Sequence, residues 1–431
     1  MWERILDRVK SRVDAAEVYG VTSEDMSVSF EAGRLKNIER TRFMGAGLRV
    51  IKGGRIGFAA TTDPDRIDRL VDEAVAGTEF GKKASFTFPG SLPDTMVDTF
   101  DPEVASLTPE RAVEEGSKAV DMLSQMVPDG QTEVELEASS SQVRILNTAG
   151  LDASYKSTDF SNMVLSVIVK GDSILWIDEG GHYGSLIIKT DEYVTQIAER
   201  AKQAKTVASS VNGRLPVIFV AQQMPNVLQA VEMAVDGTRL YKGDSPLIGR
   251  EGDTVLGSVT IIDDPFVPFS PGSRPFDDEG TPSRSTVLFE DGMFRSFLFD
   301  LDTAAETGNP ATGNAERGAL SLPSTGTSNL IMSAGESSRE EMIGSLDRGV
   351  IVYGVLGGGQ SNLLAGDYAF NVMLGFLIEG GEVVGRLTDT MISGNIYDDF
   401  GRISSMGSTC QQVGSYHIPD VMFSDLAISS R

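Results

Sequence analysis

Two-residue turns rich in glycine are the feature that most constrains how this chain can fold. Gly53-Gly54, Asp291-Gly292 and Gly380-Gly381 each separate two short apolar segments. Such a turn needs positive φ at its central residues, which glycine adopts without steric penalty, and it joins antiparallel strands. The sequence therefore predicts antiparallel hairpins in both halves of the chain.

Amphipathic segments between the strands predict helices in the first half. The first residues of the chain form one, and another follows Pro64, with Thr62 or Asp63 as its cap. A third opens at Thr108 and runs to about Met126, and a fourth covers 191–210. The segments AAEVYGV and MSVSFEAG predict two separate strands.

The chain has 431 residues, too many for one ordinary core. From about residue 212 onward, glycine becomes frequent and strand patterns dominate. We expect an α+β protein whose N-terminal domain, residues 1–211, is α/β with mixed or antiparallel strands. A helix–strands–helix order recurs over 1–80 and 108–210 and suggests an internal repeat. The C-terminal domain, 212–431, is expected to be glycine-rich and dominated by β-strands.

Composition excludes several classes of partner. The formal net charge of −25, without a basic cluster, argues against nucleic acid as a partner. No apolar run approaches the ~20 residues needed to span a bilayer, so no membrane contact is expected. The first residues do not have the pattern of a signal peptide, and Cys410 is the only cysteine. These features predict a cytoplasmic location.

Histidine is scarce, and this limits the chemistry available. His182 and His417 are the only two, whereas zinc sites and Ser–His or Cys–His dyads depend on imidazole. We interpret His417 as an ordinary hydrogen-bonding residue and Cys410 as an unreactive thiol. A catalytic Ser–Lys dyad remains an alternative, although no spacing of serine and lysine residues indicates a particular pair.

Two segments could line a ligand cleft. Asp277, Asp278 and Glu279 beside Gly280 suggest a hard-cation site, but without an alternating oxygen-ligand loop a solvated turn is favoured. The other segment, YGVLGGGQSNLLAGDYAF, does not have the spacing of a phosphate-binding loop and predicts bulges and close backbone approach. Its candidate cleft residues are Gly358, Gly359, Gly366 and Asp367.

The order of the segments resembles the TldD/PmbA family, also called the modulator-of-DNA-gyrase family. The resemblance runs over nearly the whole chain. Its segments are AAEVYG, FEAGRLKNIERTRFMGAGLRVIKGGRIGFAATT, RILNTAGLD, FDDEGTPSRSTVLFEDGMFRSFLFD, ATGNAERG, AGDYAFNVMLGFLIEGGEV and TDTMISGNIYDDF. The sixth departs from the family pattern, because Ala365 stands where a threonine is usual and bulky residues follow Asp367.

The resemblance implies one of two branches. TldD-type members are zinc peptidases with an HExxxH motif in a helix, whereas TldE/PmbA-type members lack the motif and pair with a TldD-type subunit. Aligned through RLYKGDSP, the motif window is 228–233, with Leu228 and Met233 at the histidine positions and Gln229 at the glutamate position. Glu232 alone would not hold zinc. The resemblance therefore implies the metal-free branch, with no cofactor and no catalytic residue in this chain.

Three functions follow as hypotheses. The first is a non-catalytic subunit of a peptidase system for peptide maturation or degradation, which binds peptide substrates as a heterodimer with a TldD-type zinc-bearing paralogue. The second is a stand-alone homodimer that binds peptides or small ligands. The third is an autonomous hydrolase with a non-zinc mechanism. By resemblance the chain is expected to be dimeric.

Overall fold

The computed structural model describes residues 1–93, 95–171, 173–357 and 361–430. Helices account for 23% and strands for 42%, in several sheets, which confirms the α+β class. Within the described ranges, every helix is too short or too polar to cross a lipid bilayer.

The first half of the chain builds one antiparallel sheet of six strands in the order β3-β2-β1-β4-β5-β6. The central pair joins β1 to β4, so two three-stranded meanders meet side by side. The elements are α1 Trp2–Val9, β1 Ala15–Glu31, β2 Arg34–Lys52, β3 Arg55–Thr61, α2 Ile67–Gly77, α3 Pro102–Ala105, α4 Pro109–Met126, β4 Gly130–Asn147, β5 Asp152–Lys170, β6 Ser173–Tyr183 and α5 Thr190–Gln203.

Several predicted boundaries in this half were wrong. AAEVYGV and MSVSFEAG are one continuous strand, β1, because Gly20 keeps extended backbone and its neighbours pair with both β2 and β4. The helix α2 begins at Ile67, and Asp63 accepts a hydrogen bond from the backbone of Asp65 in the turn before it. The Gly53-Gly54 hairpin and the Thr108 cap of α4 are confirmed.

Helices cover the sheet in two places. Ile5 of α1 and Leu70 of α2 lie in an apolar cluster with Leu48 of β2. The helices α4 and α5 cover the second meander, and Leu123 and Ile197 belong to that cluster. The same helix–strands–helix order therefore occurs twice, and whether the halves are a repeat stays a prediction.

The second half contains a barrel. Strand β14 pairs with both β7 and β15, so that β14, β7, β21, β17 and β15 close on themselves. A six-stranded sheet, β10-β9-β8-β13-β20-β19, lies beside it. The elements are β7 Gly213–Phe219, α6 Met224–Val235, α7 Gly237–Lys242, β8 Ile261–Asp263, β9 Thr286–Glu290, β10 Met293–Phe294, α8 Leu301–Thr307, β11 Ala315–Glu316, β12 Ser324–Thr325, β13 Leu330–Met332, α9 Arg339–Gly344, β14 Arg348–Gly357, β15 Asp367–Glu379, β16 Glu382–Arg386, β17 Thr390–Asn395, α10 Ile396–Asp399, β18 Ile403–Met406, β19 Gln411–Val413, β20 Tyr416–Ile418 and β21 Val421–Ser430.

Both hairpins expected in this half are present. Asp291 and Gly292 adopt φ of 47° and 80° between β9 and β10, and Gly380 and Gly381 adopt 58° and 78° between β15 and β16. The register of β14 against β15 shifts at Gly354, which is the bulge expected in the glycine-rich segment. Turn chemistry therefore set the strand pairing here as it did at Gly53-Gly54.

The two halves share an apolar cluster. Ile197 of α5 and Ile177 of β6 belong to the same buried group as Ile218 of β7 and Ile351 of β14. One face of the barrel sheet is therefore covered by the first half of the chain. The other face packs on a second cluster, which contains α6. The division of the chain at residue 212 stays a prediction.

Candidate functional site

The acidic segment Asp277–Gly280 is buried, and its interpretation as a solvated turn was wrong. It does turn, because the Gly280 N–H donates to the Asp277 carbonyl oxygen and Gly280 has a φ of 75°. However, Asp277 and Glu279 are fully buried and Asp278 is only 7% exposed. A Cβ on Gly280 would lie 2.3 Å from Leu151 of the first half. The first half of the chain therefore covers this turn.

Backbone groups and an arginine hold the two outer carboxylates of the segment. Asp277 accepts hydrogen bonds from the backbone N–H groups of Glu279, Thr281 and Ala315. Burial raises the pKa of Asp277 to about 7, and the charge of Glu279 adds to the rise. Glu279 pairs with the buried Arg49 at 2.5 Å. These oxygens are engaged by the protein, which removes them as ligands for a cation.

The Glu279–Arg49 pair belongs to a buried ionic network that joins the halves. Arg49 also pairs with Glu17 at 3.1 Å, and Glu17 pairs with Arg317 at 2.7 Å. Arg49 and Glu17 lie on β2 and β1, whereas Glu279 and Arg317 belong to the second half. Buried pairs of this kind fix geometry, because removal of one partner leaves an uncompensated charge.

Asp278, the middle acid, points to a cavity between the halves. The Tyr19 hydroxyl donates to Asp278 Oδ1 at 2.9 Å, and the Arg317 backbone N–H donates to Oδ2 at 2.9 Å. Arg274 Nη1 lies 4.0 Å from Asp278 Oδ2. Burial, followed by the charge of Asp278, raises the pKa of Tyr19 well above its ordinary value.

The cavity has a volume of about 680 Å³, within the range typical of ligand sites. Strands β1, β4, β5 and β6 form one wall, and loops of the second half form the other. Most of the side chains around it are polar. Its lining includes Tyr19, Ser141, Tyr155, Ser157, His182, Ser273, Arg274, Asp278, Glu316, Arg317, Leu322, Thr327, Ser328 and Ser415.

The window at the zinc-motif position lies on α6, and none of its residues lines this cavity. Leu228 is fully buried, together with Val231 and Ala234, in the apolar cluster between α6 and the barrel, as expected for plain core packing. Gln229 is exposed and Met233 is half-buried. The Tyr416 hydroxyl donates to Glu232 Oε1 at 2.6 Å.

These four side chains do not fit a zinc ion. Leu228 has no donor atom, and thioether and amide groups are poor zinc ligands. Burial raises the pKa of Glu232, and the negative charge of Glu316 on the cavity wall adds to the rise. Over the described part of the chain, no three His, Cys, Asp or Glu side chains are grouped so as to hold a metal ion.

The remaining candidates are not brought together with the cavity. Gly366 ends a short helical turn with a φ of 88°, and Asp367 accepts a hydrogen bond from Asn395 at 2.9 Å at the start of β15. Neither lines the cavity that contains Asp278. Gly358 and Gly359 lie outside the described residues.

The histidines and the cysteine have ordinary environments. His417 Nε2 lies 3.0 Å from the Ser270 hydroxyl, which confirms its interpretation as a hydrogen-bonding residue. His182, on the wall of the cavity, has its Nε2 3.1 Å from Asp159 Oδ1. Burial raises the pKa of the Cys410 thiol, which disfavours the reactive thiolate.

Sequence reasoning missed the basic and aromatic members of the cavity. Arg274 lies three residues before Asp277, and Arg317 lies in the ATGNAERG segment, so a charge count around the acidic turn would have indicated both. Tyr19 and Tyr155 gave no local signal, since each is a single aromatic residue within a long strand. Only the pairing of distant segments places them together.

Comparisons with known proteins identify the same family over nearly the whole chain. Family models described as PmbA/TldA metallopeptidase domain 1, central domain and C-terminal domain match residues 16–77, 102–206 and 212–430. A metalloprotease of Methanothermobacter thermautotrophicus is 27% identical over 94% of this chain and 90% of its own length. A TldD homologue of Haemophilus influenzae, also described as a metalloprotease, is 28% identical over 91% and 85%. The crystal structure of TldE from Thermococcus kodakarensis superposes with a TM-score of 0.91, at 25% identity over 99% of both chains.

Proposed function

This chain belongs to the PmbA/TldD metallopeptidase family, and from that membership we propose that it is the metal-free, TldE-type subunit of a TldD/TldE-type metallopeptidase system. In this proposal it acts in the cytoplasm, binds peptide substrates together with a zinc-bearing TldD-type paralogue, and has no peptidase activity alone. The similarity to TldE over the full length supports the assignment to this branch.

The observation that carries the proposal is the chemistry of the window on α6. A zinc peptidase needs imidazole or thiolate ligands around an open coordination position, and a carboxylate that takes the proton of the zinc-bound water. Leu228 instead fills the core, and Gln229 replaces the carboxylate on the exposed side of the helix. The chain therefore contributes binding surface to the complex, and the hydrolytic centre belongs to the paralogue.

Exposed features of the first half support a role in assembly and substrate binding. The β2 stretch 34–42 is an exposed edge of the first-half sheet, and its Leu35 and Ile38 are each 46% exposed. An obligate dimer typically buries ~2,000 Å² or more, and this exposed edge would contribute apolar area to such an interface. The part of β2 before Ala46 pairs with β1 on one side and lies beyond the reach of β3 on the other, so its backbone groups could accept an extended peptide as a further strand.

The test is cleavage of a library of unstructured peptides. The samples are this chain, the HExxxH paralogue and their mixture, each with and without a chelator. We expect chelator-sensitive cleavage in the mixture only. The variant Leu228→His/Gln229→Glu/Met233→His should stay inactive alone, because further ligands and the groups that orient them are missing. Cleavage by the unmodified chain alone, in the presence of chelator, would instead favour the hypothesis that the chain is an autonomous hydrolase with a non-zinc mechanism.

The polar cavity favours one alternative, a stand-alone homodimer that binds peptides or small ligands. Both halves of this chain line the cavity, so a ligand bound there would contact residues of this chain on two sides. Light scattering at micromolar concentration is expected to show a dimer of the purified chain. A monomer would contradict self-pairing, and it would leave the mixture with the paralogue as the remaining test of assembly.

A further inference from the structure

A second cavity lies where the helices α4 and α5 end, and we call it the α4–α5 cavity. Its volume is about 280 Å³. Its lining comes from α4, α5, β5, β6, the segments that follow the two helices, and Arg386 of β16. It shares no lining residue with the cavity that contains Asp278, and the proposed subunit role does not use it.

The inner part of the α4–α5 cavity is apolar. Ile168 of β5, Leu175 of β6 and Ala201 of α5 line it, and all three are buried. Met126 and Val207 also line it, although they are 49% and 56% exposed. These two side chains leave apolar surface in water, so a ligand with an apolar body would gain free energy by covering them.

The charged residues around the α4–α5 cavity reverse the balance of the whole chain, which has 62 acidic and 37 basic residues. Among the described residues of the lining, Lys170, Lys202, Lys205 and Arg386 are basic, and only Asp129 is acidic. The three lysines are exposed. Lysine stems pack on apolar surface while the ammonium groups stay in water. The cavity therefore combines an apolar interior with a positively charged rim.

Arg386 carries a charge that the protein compensates poorly. It is half-buried, and burial lowers its pKa, against which the charge of Asp389 acts. No carboxylate in the described part of the chain forms an ion pair with its guanidinium, whereas the half-buried Arg402 pairs with Asp399 at 2.7 Å. A partly desolvated cation without a counter-ion favours an anion bound beside it.

The size and lining of the α4–α5 cavity narrow the choice of ligand. An α-helix with its side chains is about 10–12 Å wide, too wide for a cavity of about 280 Å³. A sugar or a nucleotide would place polar groups against the apolar interior, which costs free energy. Asp129 and the C-terminal ends of α4 and α5, with their partial negative charge, disfavour a second negative charge on the ligand.

We propose that the α4–α5 cavity binds a medium-chain fatty acid. Its alkyl chain packs on Ile168, Leu175 and Ala201, and its carboxylate lies beside Arg386 and the neighbouring lysines. The apolar interior belongs to the first half of the chain and Arg386 to the second, so a bound fatty acid contacts both halves. The site binds its ligand without a chemical step.

The experiment is isothermal titration calorimetry of the purified full chain with butanoate, hexanoate, octanoate and decanoate, each below the concentration at which it forms micelles. We expect one molecule per chain and an affinity that rises about fourfold for each added CH₂ until the interior is filled. Octanoate should bind roughly tenfold more tightly than 1-octanol, because a charged group makes the stronger hydrogen bonds. Octylamine should bind more weakly than both.

Variants of the rim and of the interior locate the effect. Arg386→Gln and Lys202→Gln/Lys205→Gln should each reduce the preference for octanoate over 1-octanol. Arg348→Gln, at an arginine that is 49% exposed and pairs with Glu379 outside the cavity, should keep that preference. Ala198→Phe, at a half-buried lining residue of α5, should weaken octanoate and 1-octanol alike by filling the cavity.

Three results would overturn the inference. The first is equal affinity of the wild type for octanoate and 1-octanol, including no binding of either. The second is a preference for octanoate that survives in both charge variants. The third is binding to vesicles of phosphatidylcholine and phosphatidylglycerol that is lost in Lys202→Gln/Lys205→Gln while free octanoate does not bind, since this would identify a membrane contact instead.

Two features keep the test decisive. If circular dichroism shows that Arg386→Gln does not fold, the lysine variant decides the question, because both of its positions are exposed. None of the measurements involves the paralogue. Failure of the mixture to cleave peptides would therefore refute the proposed subunit role and leave the fatty-acid site standing.

Discussion

Replacing Leu228 with histidine tests whether the zinc-motif window is part of the core. Leu228 is fully buried among the apolar side chains of α6 and the barrel. Burial of a leucine side chain contributes about 1.5–3 kcal/mol, and an imidazole in its place adds about 1–3 kcal/mol for unpaired polar atoms. We therefore expect Leu228→His to lower the free energy of unfolding by about 4 kcal/mol.

Thermal and urea unfolding followed by circular dichroism measure this loss. For a unit of about 220 residues, ~4 kcal/mol corresponds to a melting temperature lower by about 8–16 °C. Leu228→Met, which keeps the volume, should cost less than about 1.5 kcal/mol. Gln229→Glu, at an exposed position of the same helix, should change stability by less than about 0.5 kcal/mol.

Zinc supplies the second arm of this test. A ligand that binds only the folded state raises the melting temperature of a protein. We expect Leu228→His/Gln229→Glu/Met233→His not to bind zinc, so zinc chloride should leave its melting temperature unchanged. A loss below 1 kcal/mol for Leu228→His would refute the packing argument. Stabilisation of the triple variant by zinc would show that the helix can still present its side chains to a metal.

Three further predictions follow from other parts of the molecule. The pKa of Asp277 is about 7 in the folded chain against a reference of 3.8, so the stability it contributes is full below pH 4 and lost as the pH rises to 7. Urea unfolding should therefore show a smaller advantage of wild type over Asp277→Asn at pH 7 than at pH 5; a constant advantage would contradict this. Gly57→Ala should cost about 2 kcal/mol or more in unfolding experiments, because the new Cβ would lie 2.0 Å from the Ala74 carbonyl oxygen, whereas Gly53→Ala, in open space at φ 56°, should cost about 1 kcal/mol. Elemental analysis of protein purified without a histidine tag should find well under one zinc per chain, and a full equivalent after dialysis would contradict the metal-free assignment.

Local signals in the sequence predicted the parts of the fold that local physics controls. The positive-φ pairs at Gly53-Gly54, Asp291-Gly292 and Gly380-Gly381 indicated hairpins, because few other residues adopt that backbone conformation cheaply. The apolar stripe around Leu228 indicated a packed helix, since its period matches 3.6 residues per turn.

The candidate site depended on contacts that no local pattern contains. Asp277–Gly280 has the composition of a solvated turn, and it is buried only because Tyr19, Arg49 and Leu151 of the first half cover it. Arg49 is separated from Glu279 by 230 positions in the sequence. The composition of a segment predicts whether it would be exposed to solvent if it had no neighbours. A charged turn becomes buried only where side chains from distant parts of the chain neutralise its charges.

The position of β21 in the barrel has a consequence for how the protein is made. Its residues Leu426 to Ile428 pair with β7, at Gly213 to Leu215, and Ile428 also pairs with β17. During synthesis the six-stranded sheet of the first half can form as soon as β6 has emerged, but the barrel stays open until residues beyond 420 leave the ribosome. Until then β7 and β17 expose unpaired backbone edges, and the folding intermediate is most vulnerable to aggregation in that interval.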